Sequence, residues 1–275
     1  MPAFQAEPGM PYWIDLTSSD VRKSSHFYSQ VLGWEIEEIS EGYRMARLQG
    51  LPVAGLVQRP EAENQPDTWV TYFQSDNIDH DCERVVELGG RVLVAPVEVR
   101  LGQLAVLVDT AGSVFGLIQP AGEDSFIAAG EPGTPVWHEL TATVSYGEAV
   151  EFYEQLFGWV TATTDAQDYT TALVDGAAFA GIFDATGKFP PHVPSFWQSF
   201  LGLGDVYKSQ FLGVADVAAA VAQVRELGGD VIREPFDSGF GKMAIIVDST
   251  GATVTLCEVA PPVPEEELSE SDSIL

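Results

Sequence analysis

The chain has 275 residues, of which 45% are hydrophobic, and its formal net charge at pH 7 is −28 because 41 Asp and Glu residues outnumber 13 Lys and Arg residues. A charge of this sign and size disfavours binding to nucleic acid or to an anionic membrane. The length exceeds that of one ordinary domain, so two domains are expected.

Three features predict a cytoplasmic protein. No apolar run approaches the roughly 20 residues that cross a bilayer. The first residues, "MPAFQAEPGMPYW", have neither the basic nor the apolar region of a secretory signal. The two cysteines, Cys82 and Cys257, are too few for a disulfide framework and are expected to be reduced core thiols.

The first predicted unit begins with "YWIDLTSS", which alternates apolar and polar residues as a strand does. A helix follows over "DVRKSSHFYSQVL", with Asp20 as its N-cap and Gly33 at its end. Three strands come next, in the order "WEIEEIS", "YRMARLQG" and "PVAGLVQ".

The same order of elements then repeats. The strand "TWVTYFQS" precedes the helix "NIDHDCERVVEL", which Gly89 and Gly90 end, and the strands "RVLVAP", "LAVLVD" and "SVFGLIQ" complete the unit. Each unit therefore has the pattern βαβββ.

The second half of the chain repeats the first. "HFYSQVLGW" and "EFYEQLFGW" lie 125 residues apart, whereas "VVELGGRVLVAP" and "VRELGGDVIREP" lie 139 residues apart. The second copy therefore contains about fourteen extra residues, which we assign to the segment "KFPPHVPSFWQSFLGLGDVYKSQ". In the repeated FYxxxxGW motif, the aromatic residues are expected to pack the helix onto its sheet.

The predicted fold class is α+β, with four βαβββ units in two domains. We predict the first domain over residues 9–121, a linker over 122–133 and the second domain over 134–260. Residues 261–275 are rich in Glu, Ser and Pro and are predicted to form a disordered acidic tail.

The FYxxxxGW helix, the ELGG helix end and the VDxxG turn resemble the vicinal oxygen chelate superfamily over residues about 9–120 and 134–259. This superfamily includes glyoxalase I, extradiol dioxygenases, fosfomycin resistance enzymes and bleomycin-binding proteins. The "VAGL" of residues 53–56, echoed by "AGI" at 180–182, is similar to the tandem glyoxalase-like proteins of actinobacteria. The resemblance implies that each pair of units curls into a cup with its helices outside.

The resemblance also indicates where metal-dependent members keep their ligands: on the first strand of each unit and on the last strand of each cup. On the first strand of each domain these positions hold Trp13 and Trp137, and the last-strand positions hold Gly116 and Thr255. The second unit offers either Trp69 or Val70. Since none of these residues is a usual ligand, we predict no metal and no other cofactor in either cup.

An acid follows each first-strand tryptophan by two residues: Asp15 after Trp13, and Glu139 after Trp137. The two-residue period of a strand places each acid on the face of its tryptophan, which is predicted to be the cup face, and places His138 on the opposite face. A carboxylate in an apolar cavity is a candidate general base or ligand anchor, so Asp15 and Glu139 are the predicted catalytic residues. Pairing with a neighbouring cation or amide is the alternative.

Four more side chains are predicted to hold a ligand. Flat apolar walls suit planar molecules, and a guanidinium on the third strand could pair with Asp15 or clamp a ligand. The predicted ligand-binding residues are Trp13, Arg47, Trp69 and Trp137. Because Leu173 replaces Arg47 in the second copy, the two cups are not expected to be chemically equivalent.

The predicted function is that of a glyoxalase-like protein that holds a small aromatic or carbonyl-bearing molecule without metal, as a binder or a lyase-type enzyme. Two alternatives stay open: a metal-dependent glyoxalase or extradiol dioxygenase with displaced ligands, and a non-catalytic interaction protein. The expected partner is a small molecule, with the chain either a monomeric pseudo-dimer or a homodimer.

Overall fold

The computed structural model describes residues 6–60, 66–121, 129–164, 168–203, 216–238 and 241–259. It confirms the α+β prediction, with two sheets of eight strands each and four helices in these residues. The predicted tail at 261–275 and the first part of the predicted linker, residues 122–128, lie outside the described residues.

The first domain contains eight strands and two helices. Its elements are β1 Pro11–Ser18, α1 Val21–Leu32, β2 Glu35–Ser40, β3 Tyr43–Leu48, β4 Leu51–Gln58, β5 Thr68–Gln74, α2 Ile78–Glu87, β6 Arg91–Val99, β7 Gly102–Val108 and β8 Val114–Pro120. In the sheet the strands follow the order β2-β3-β4-β1-β5-β8-β7-β6.

The second domain repeats this order. Its elements are β9 Pro135–Ala142, α3 Tyr146–Phe157, β10 Val160–Thr164, β11 Tyr169–Val174, β12 Ala177–Asp184, β13 Phe196–Leu203, α4 Val217–Glu226, β14 Asp230–Ser238, β15 Gly241–Val247 and β16 Thr253–Glu258. The sheet order is β10-β11-β12-β9-β13-β16-β15-β14, which matches the first domain strand for strand.

Within each sheet the two units join along their first strands. β1 pairs with β5 in the antiparallel direction, whereas β1 with β4 and β5 with β8 are parallel pairs. A parallel pair needs a long crossover, which the helix and two strands of each unit supply. The first strand of every unit therefore lies in the middle of its sheet, where its side chains are most deeply enclosed.

The helix ends confirm the predicted caps. Asp20 accepts hydrogen bonds from the backbone amides of Arg22 and Lys23, so it satisfies amides that the first turn leaves without partners. Gly33, which ends α1, has φ 71°, a left-handed conformation that glycine adopts without steric penalty.

The helix-bearing faces of the two sheets meet in the interior of the protein. One buried core joins side chains of α1, β1 and β4 to side chains of α4, β13 and β16. A second core joins α2 and β8 to α3 and β12. Each domain therefore packs its helices against those of the other, as the two subunits of a dimer would.

The FYxxxxGW motif lies at this junction. The Tyr28 hydroxyl donates to Asp248 of the other domain at 3.0 Å and accepts from the Trp69 indole at 3.0 Å. Tyr153, in the second copy, repeats both bonds with Asp109 and Trp197. The motif thus joins domains as well as packing its helix.

Most of the insertion in the second copy lies at the end of the assigned segment, residues 188–210, and beyond it. The middle of the assigned segment forms strand β13, which is the counterpart of β5. Three residues separate β5 from α2, but thirteen separate β13 from α4. Most of the extra length therefore follows β13, in a stretch of which residues 204–215 lie outside the described part of the chain.

Candidate functional site

We call the sheet faces that point away from the helices cup 1, in the first domain, and cup 2, in the second. In β1, Ile14 and Leu16 belong to the helix-side core, whereas Trp13 packs with Met45 and Tyr72 on the other face. Asp15 hydrogen-bonds the Trp13 indole. The two-residue period therefore places the acid in cup 1, as predicted.

Three aromatic side chains surround the Asp15 carboxylate. The Trp13 indole donates to Asp15 Oδ1 at 2.8 Å, and the Tyr43 hydroxyl lies 3.5 Å from the same oxygen. The Tyr72 hydroxyl is also a hydrogen-bond partner of this carboxylate. Asp15 is only 3% exposed, so these donors replace water around its charge.

Gly55 leaves the space that the Asp15 carboxylate and the Tyr43 hydroxyl occupy. It is the register partner of Asp15 in the adjacent strand β4. A Cβ at this position would lie 1.9 Å from Asp15 Oδ1 and 2.5 Å from the Tyr43 hydroxyl. The glycine of the VAGL motif is therefore required by the close approach of the acid and the tyrosine.

Burial dominates the electrostatics of cup 1. It raises the pKa of Asp15 from its ordinary 3.8 to about 6, against the opposing effect of the hydrogen bonds from Trp13, Tyr72 and Tyr43. The pKa values of Tyr43 and Tyr72 are also raised, mainly by burial and then by the nearby Asp15 charge. The carboxyl thus exchanges its proton near neutral pH while both phenols stay protonated.

Cup 2 repeats the arrangement with a longer acid. The Tyr169 hydroxyl donates to Glu139 Oε2 at 2.9 Å, and the Trp137 indole donates to the Tyr169 hydroxyl at 3.0 Å. Gln198 donates to Glu139 Oε1 at 3.0 Å. A Cβ on Gly181, the register partner of Glu139, would lie 1.9 Å from the Tyr169 hydroxyl. Burial raises the pKa of Glu139, although the hydrogen bonds oppose the rise.

The two cups share a triad of tryptophan, acid and tyrosine, but their remaining walls differ. In cup 1 the central part of the wall on β6 and β7 is apolar. Val94 pairs with Val106, and Val97 pairs with Leu104, across these two strands. In cup 2 the corresponding wall carries Arg233 and Phe236, which pair with Ile245 and Met243.

Comparison with known proteins identifies the fold and family. A sequence model of the Glyoxalase/Bleomycin resistance protein/Dioxygenase superfamily matches residues 12–117 and 138–256. The chain belongs to this superfamily.

Two curated relatives match nearly the whole chain. The anthracycline biosynthesis protein DnrV of Streptomyces peucetius is 30% identical, over 94% of this chain and 96% of the relative. The putative glyoxylase CFP32 of Mycobacterium bovis is 29% identical, over 92% of this chain and 96% of the relative.

Solved structures share the fold at low sequence identity. The Mn(II)-bound glyoxalase from Novosphingobium aromaticivorans aligns with a TM-score of 0.60 at 16% identity, covering 93% of this chain and 84% of that one. The 2,2',3-trihydroxybiphenyl 1,2-dioxygenase from Sphingomonas wittichii aligns with a TM-score of 0.58 at 16% identity, covering 91% and 90%. At these identities the likeness concerns the fold alone.

The metal positions of the superfamily do not fit a metal in cup 1. The β5 residue opposite Trp13 is Tyr72, not Trp69 or Val70. Tyr72 in turn pairs with Gly116, and a Cβ on this glycine would lie 1.9 Å from the Tyr72 ring. The ring therefore occupies the space that a glutamate ligand on the last strand would need.

The same positions in cup 2 hold no usual metal ligand either. The register partners there are Trp137, Phe200 and Thr255, and Thr255 donates to Gln198. In the described ranges, no group of three or more His, Cys, Asp or Glu side chains could share a metal ion. The donor set that the superfamily uses for a divalent ion is thus not assembled by these residues.

One predicted ligand-binding residue, Trp69, lies outside the cups. Trp69 belongs to the helix-side core, where it stacks edge-on with Tyr28 and Trp34. Its strand register places it opposite Leu16 rather than Asp15. Arg47 lies near the end of β3 and donates to the Gly50 carbonyl. The partner of Asp15 on β3 is Tyr43, four residues earlier.

His138 points away from Glu139, as the alternation predicted. Its Nδ1 lies 3.0 Å from the Ser199 hydroxyl, which is itself 3.2 Å from the Thr71 hydroxyl of the other domain. Burial lowers the pKa of His138 to about 3, so the ring is neutral at pH 7 and serves the junction between domains.

The sequence did not predict several residues of the candidate site. They are Tyr43, Tyr72, Tyr169, Gln198 and Arg233. The two tyrosines of the third strands carried a signal, since "YRMARL" and "YTTALV" both begin with Tyr at a common offset of 126 residues. The others depend on strand register, which the local sequence does not specify.

Proposed function

We propose that the protein binds a small planar aromatic or carbonyl-bearing molecule in its cups, without a metal. The observation that carries this proposal is the triad of tryptophan, acid and tyrosine, which both cups contain. Burying a carboxyl among aromatic rings disfavours its charged form unless partners compensate. Both cups nevertheless contain this arrangement, and a shared ligand-binding role explains it best.

The walls of the cups support a planar ligand. In cup 1 the side chains of Trp13, Tyr72, Met45 and Ile118 form one apolar cluster, with Leu104 and Val106 packed against it. Ligand pockets of this kind combine apolar walls with few polar groups that set orientation. The name of the relative in anthracycline biosynthesis points the same way, because anthracyclines are planar, carbonyl-bearing polycyclic molecules.

The chemistry available to the site is proton transfer. A carboxyl whose pKa lies at about 6 is ionised in part near neutral pH and can take a proton from a carbon beside a carbonyl. The neighbouring phenols are donors that can hydrogen-bond the carbonyl oxygen. A lyase or isomerase acting through Asp15 or Glu139 is therefore proposed beside simple binding. The buried thiols of Cys82 and Cys257, which form no disulfide, suit a cytoplasmic setting.

The proposal is tested with anthraquinone-2-carboxamide, a planar uncharged carbonyl compound. Isothermal titration should give saturable binding, with quenching of tryptophan fluorescence. Mass spectrometry of the recovered ligand separates the two modes: a binder returns it unchanged, whereas an enzyme converts it and loses the conversion in Asp15→Asn or Glu139→Gln. If neither this compound nor a panel of planar quinones and phenols binds, the proposal is wrong.

The alternative is a metal-dependent glyoxalase or dioxygenase, which the description of the family and the names of the solved structural neighbours suggest. It requires stoichiometric zinc, iron, nickel or manganese in protein purified without chelator, and loss of activity on chelation. Elemental analysis near one ion per cup would favour this alternative over the proposed function.

A further inference from the structure

Cup 2 contains a guanidinium where cup 1 has an apolar residue. Arg233 on β14 pairs with Ile245, just as Val94 on β6 pairs with Val106 in the first domain. Arg233 Cζ lies 3.4 Å from the centroid of the Phe236 ring. Val97 holds the place of Phe236 in cup 1, so both members of this cation–π pair are specific to cup 2.

The Phe236 ring holds the Arg233 guanidinium on the wall of cup 2 that continues toward Glu139. This ring packs against the cluster of Phe200, Met243 and Cys257, and Trp137 packs on the same cluster. Trp137 donates to the tyrosine that hydrogen-bonds Glu139. The cation and the triad therefore belong to one continuous surface.

The charge of Arg233 is not neutralised within the described residues. The adjacent Glu234 forms its ion pair with Arg225 of α4, on the helix side of the sheet, and no described carboxylate lies within salt-bridge distance of Arg233. Arg233 is exposed. A guanidinium stacked on a ring keeps its edge N–H groups free for a planar oxyanion.

Glu139, at the other end of cup 2, does not compete with a ligand for the Arg233 guanidinium. Both oxygens of Glu139 already accept hydrogen bonds, one from Tyr169 and one from Gln198. A ligand in cup 2 thus meets, at the triad, a carboxyl whose two oxygens already accept hydrogen bonds. At Arg233 it meets N–H donors. This polarity orients a molecule that has an aromatic body and an acidic group at one end.

We propose that cup 2 binds planar aromatic acids, with Arg233 on Phe236 as the group that recognises the acidic oxygens, whereas cup 1 binds uncharged planar molecules. This inference rests on the proposed function and assigns each cup its ligand class. Arg233 acts as a specificity-determining residue, and the difference between Val94 and Arg233 sets the difference between the cups.

The test compares two probes that differ in one charge: anthraquinone-2-carboxylate and anthraquinone-2-carboxamide. Calorimetry of the wild-type chain should show at least tenfold tighter binding of the carboxylate at one site. Arg233→Met keeps the apolar stem and removes the charge, so it should weaken carboxylate binding about tenfold, because hydrogen bonds to charged groups are the strong ones. Carboxamide binding should change less than threefold.

Two further variants make the test specific. Arg22→Met removes an equal charge from an exposed position of α1, on the helix side of the first sheet, and should leave both affinities unchanged. The double variant Val94→Arg, Val97→Phe transfers the pair to cup 1 and should create a second carboxylate site.

The outcomes separate the two proposals. Equal affinity of the wild type for both probes, or an equal loss for both in Arg233→Met, overturns the inference about cup 2 but leaves the proposed function in place. Failure of both probes to bind overturns the inference about cup 2, and failure of the panel of planar quinones and phenols as well overturns the proposed function. A carboxylate preference that disappears only in Arg233→Met supports the inference.

Discussion

Single residues show how the protein keeps a carboxyl in an apolar sheet. Asp15 and Glu139 each lie opposite a glycine in the neighbouring parallel strand, and a tyrosine of the third strand covers that glycine. The absent Cβ is what lets the tyrosine reach the acid. The glycine of VAGL, and its counterpart Gly181, therefore have a local steric cause.

Asp15→Asn is predicted to stabilise the protein at neutral pH. The folded-state pKa of about 6 exceeds the ordinary 3.8, so the favourable contribution of the protonated carboxyl is complete below pH 3.8 and is lost as the pH rises through 6. This difference in pKa corresponds to about 3 kcal/mol at most. We expect the variant to gain about 1–3 kcal/mol over wild type at pH 7.5, and much less at pH 4.

Urea unfolding at the two pH values measures this difference. Asp20→Asn is the surface control, because Asn replaces Asp as a helix N-cap with an effect below about 0.5 kcal/mol. An Asp15→Asn variant that is less stable than wild type at pH 7.5 would show that the ionised carboxylate is fully compensated by its three donors.

Gly55→Ala is predicted to destabilise the first domain. The added methyl would lie 1.9 Å from Asp15 Oδ1, so the acid and Tyr43 must move, which costs about 1–3 kcal/mol. Gly147→Ala is the matched control: nothing lies within 4 Å of its added Cβ in α3, and the helix should gain about 0.5–1 kcal/mol. Thermal unfolding of both variants measures the contrast, and equal melting temperatures would contradict the steric explanation.

At the scale of elements, the repeated helix is a joint between domains. The tyrosine of each FYxxxxGW motif accepts from a tryptophan of its own domain and donates to the aspartate of a VDxxG turn in the other. The second oxygen of Asp248 accepts from backbone amides of its own turn, including those of Thr250 and Gly251. Two motifs that lie far apart in sequence thus form one hydrogen-bonded unit.

Tyr28→Phe is predicted to lower the free energy of unfolding by about 2–4 kcal/mol. It leaves the Trp69 indole and one Asp248 oxygen without their partner in a buried site, and each such loss costs about 1–3 kcal/mol. Tyr146→Phe is the control, since its hydroxyl meets Thr170 in a partly buried position, and it should cost less than about 1 kcal/mol. If both substitutions have the same small effect, the junction does not depend on the hydroxyl.

At the scale of the molecule, the two domains cover each other's helix faces. The cores that join α1 to α4 and α2 to α3 bury within one chain the surface that would otherwise require a second copy. The cup faces of the two sheets point away from this junction. No helix in the described ranges is long and apolar enough to cross a membrane.

The chain is therefore predicted to be a monomer that unfolds as one unit. Light scattering after size exclusion should give the mass of one chain, and calorimetry should give a single transition in which both domains melt together, because the shared cores couple them. Twice the mass, or two resolved transitions, would contradict this arrangement.

The sequence alone determined the repeat, the fold class and the faces of the first strands. Alternation placed Asp15 in cup 1 and Ile14 on the helix side, as the structure has them, since side-chain direction in a strand follows from position. The ends of α1 were likewise predictable, because Asp20 and Gly33 act on their own neighbours.

Only the tertiary structure decided which residues meet. Trp69 faces the interior rather than cup 1, and Tyr72 takes the place opposite Trp13, because the register between two strands depends on the whole sheet. Tyr43, rather than Arg47, reaches Asp15 through the space above Gly55. The contrast of Arg233 with Val94 also depends on the tertiary structure, because strand pairing is what places both residues on the cup faces. Composition and local pattern specify elements and faces, whereas a binding site is made by contacts between distant strands.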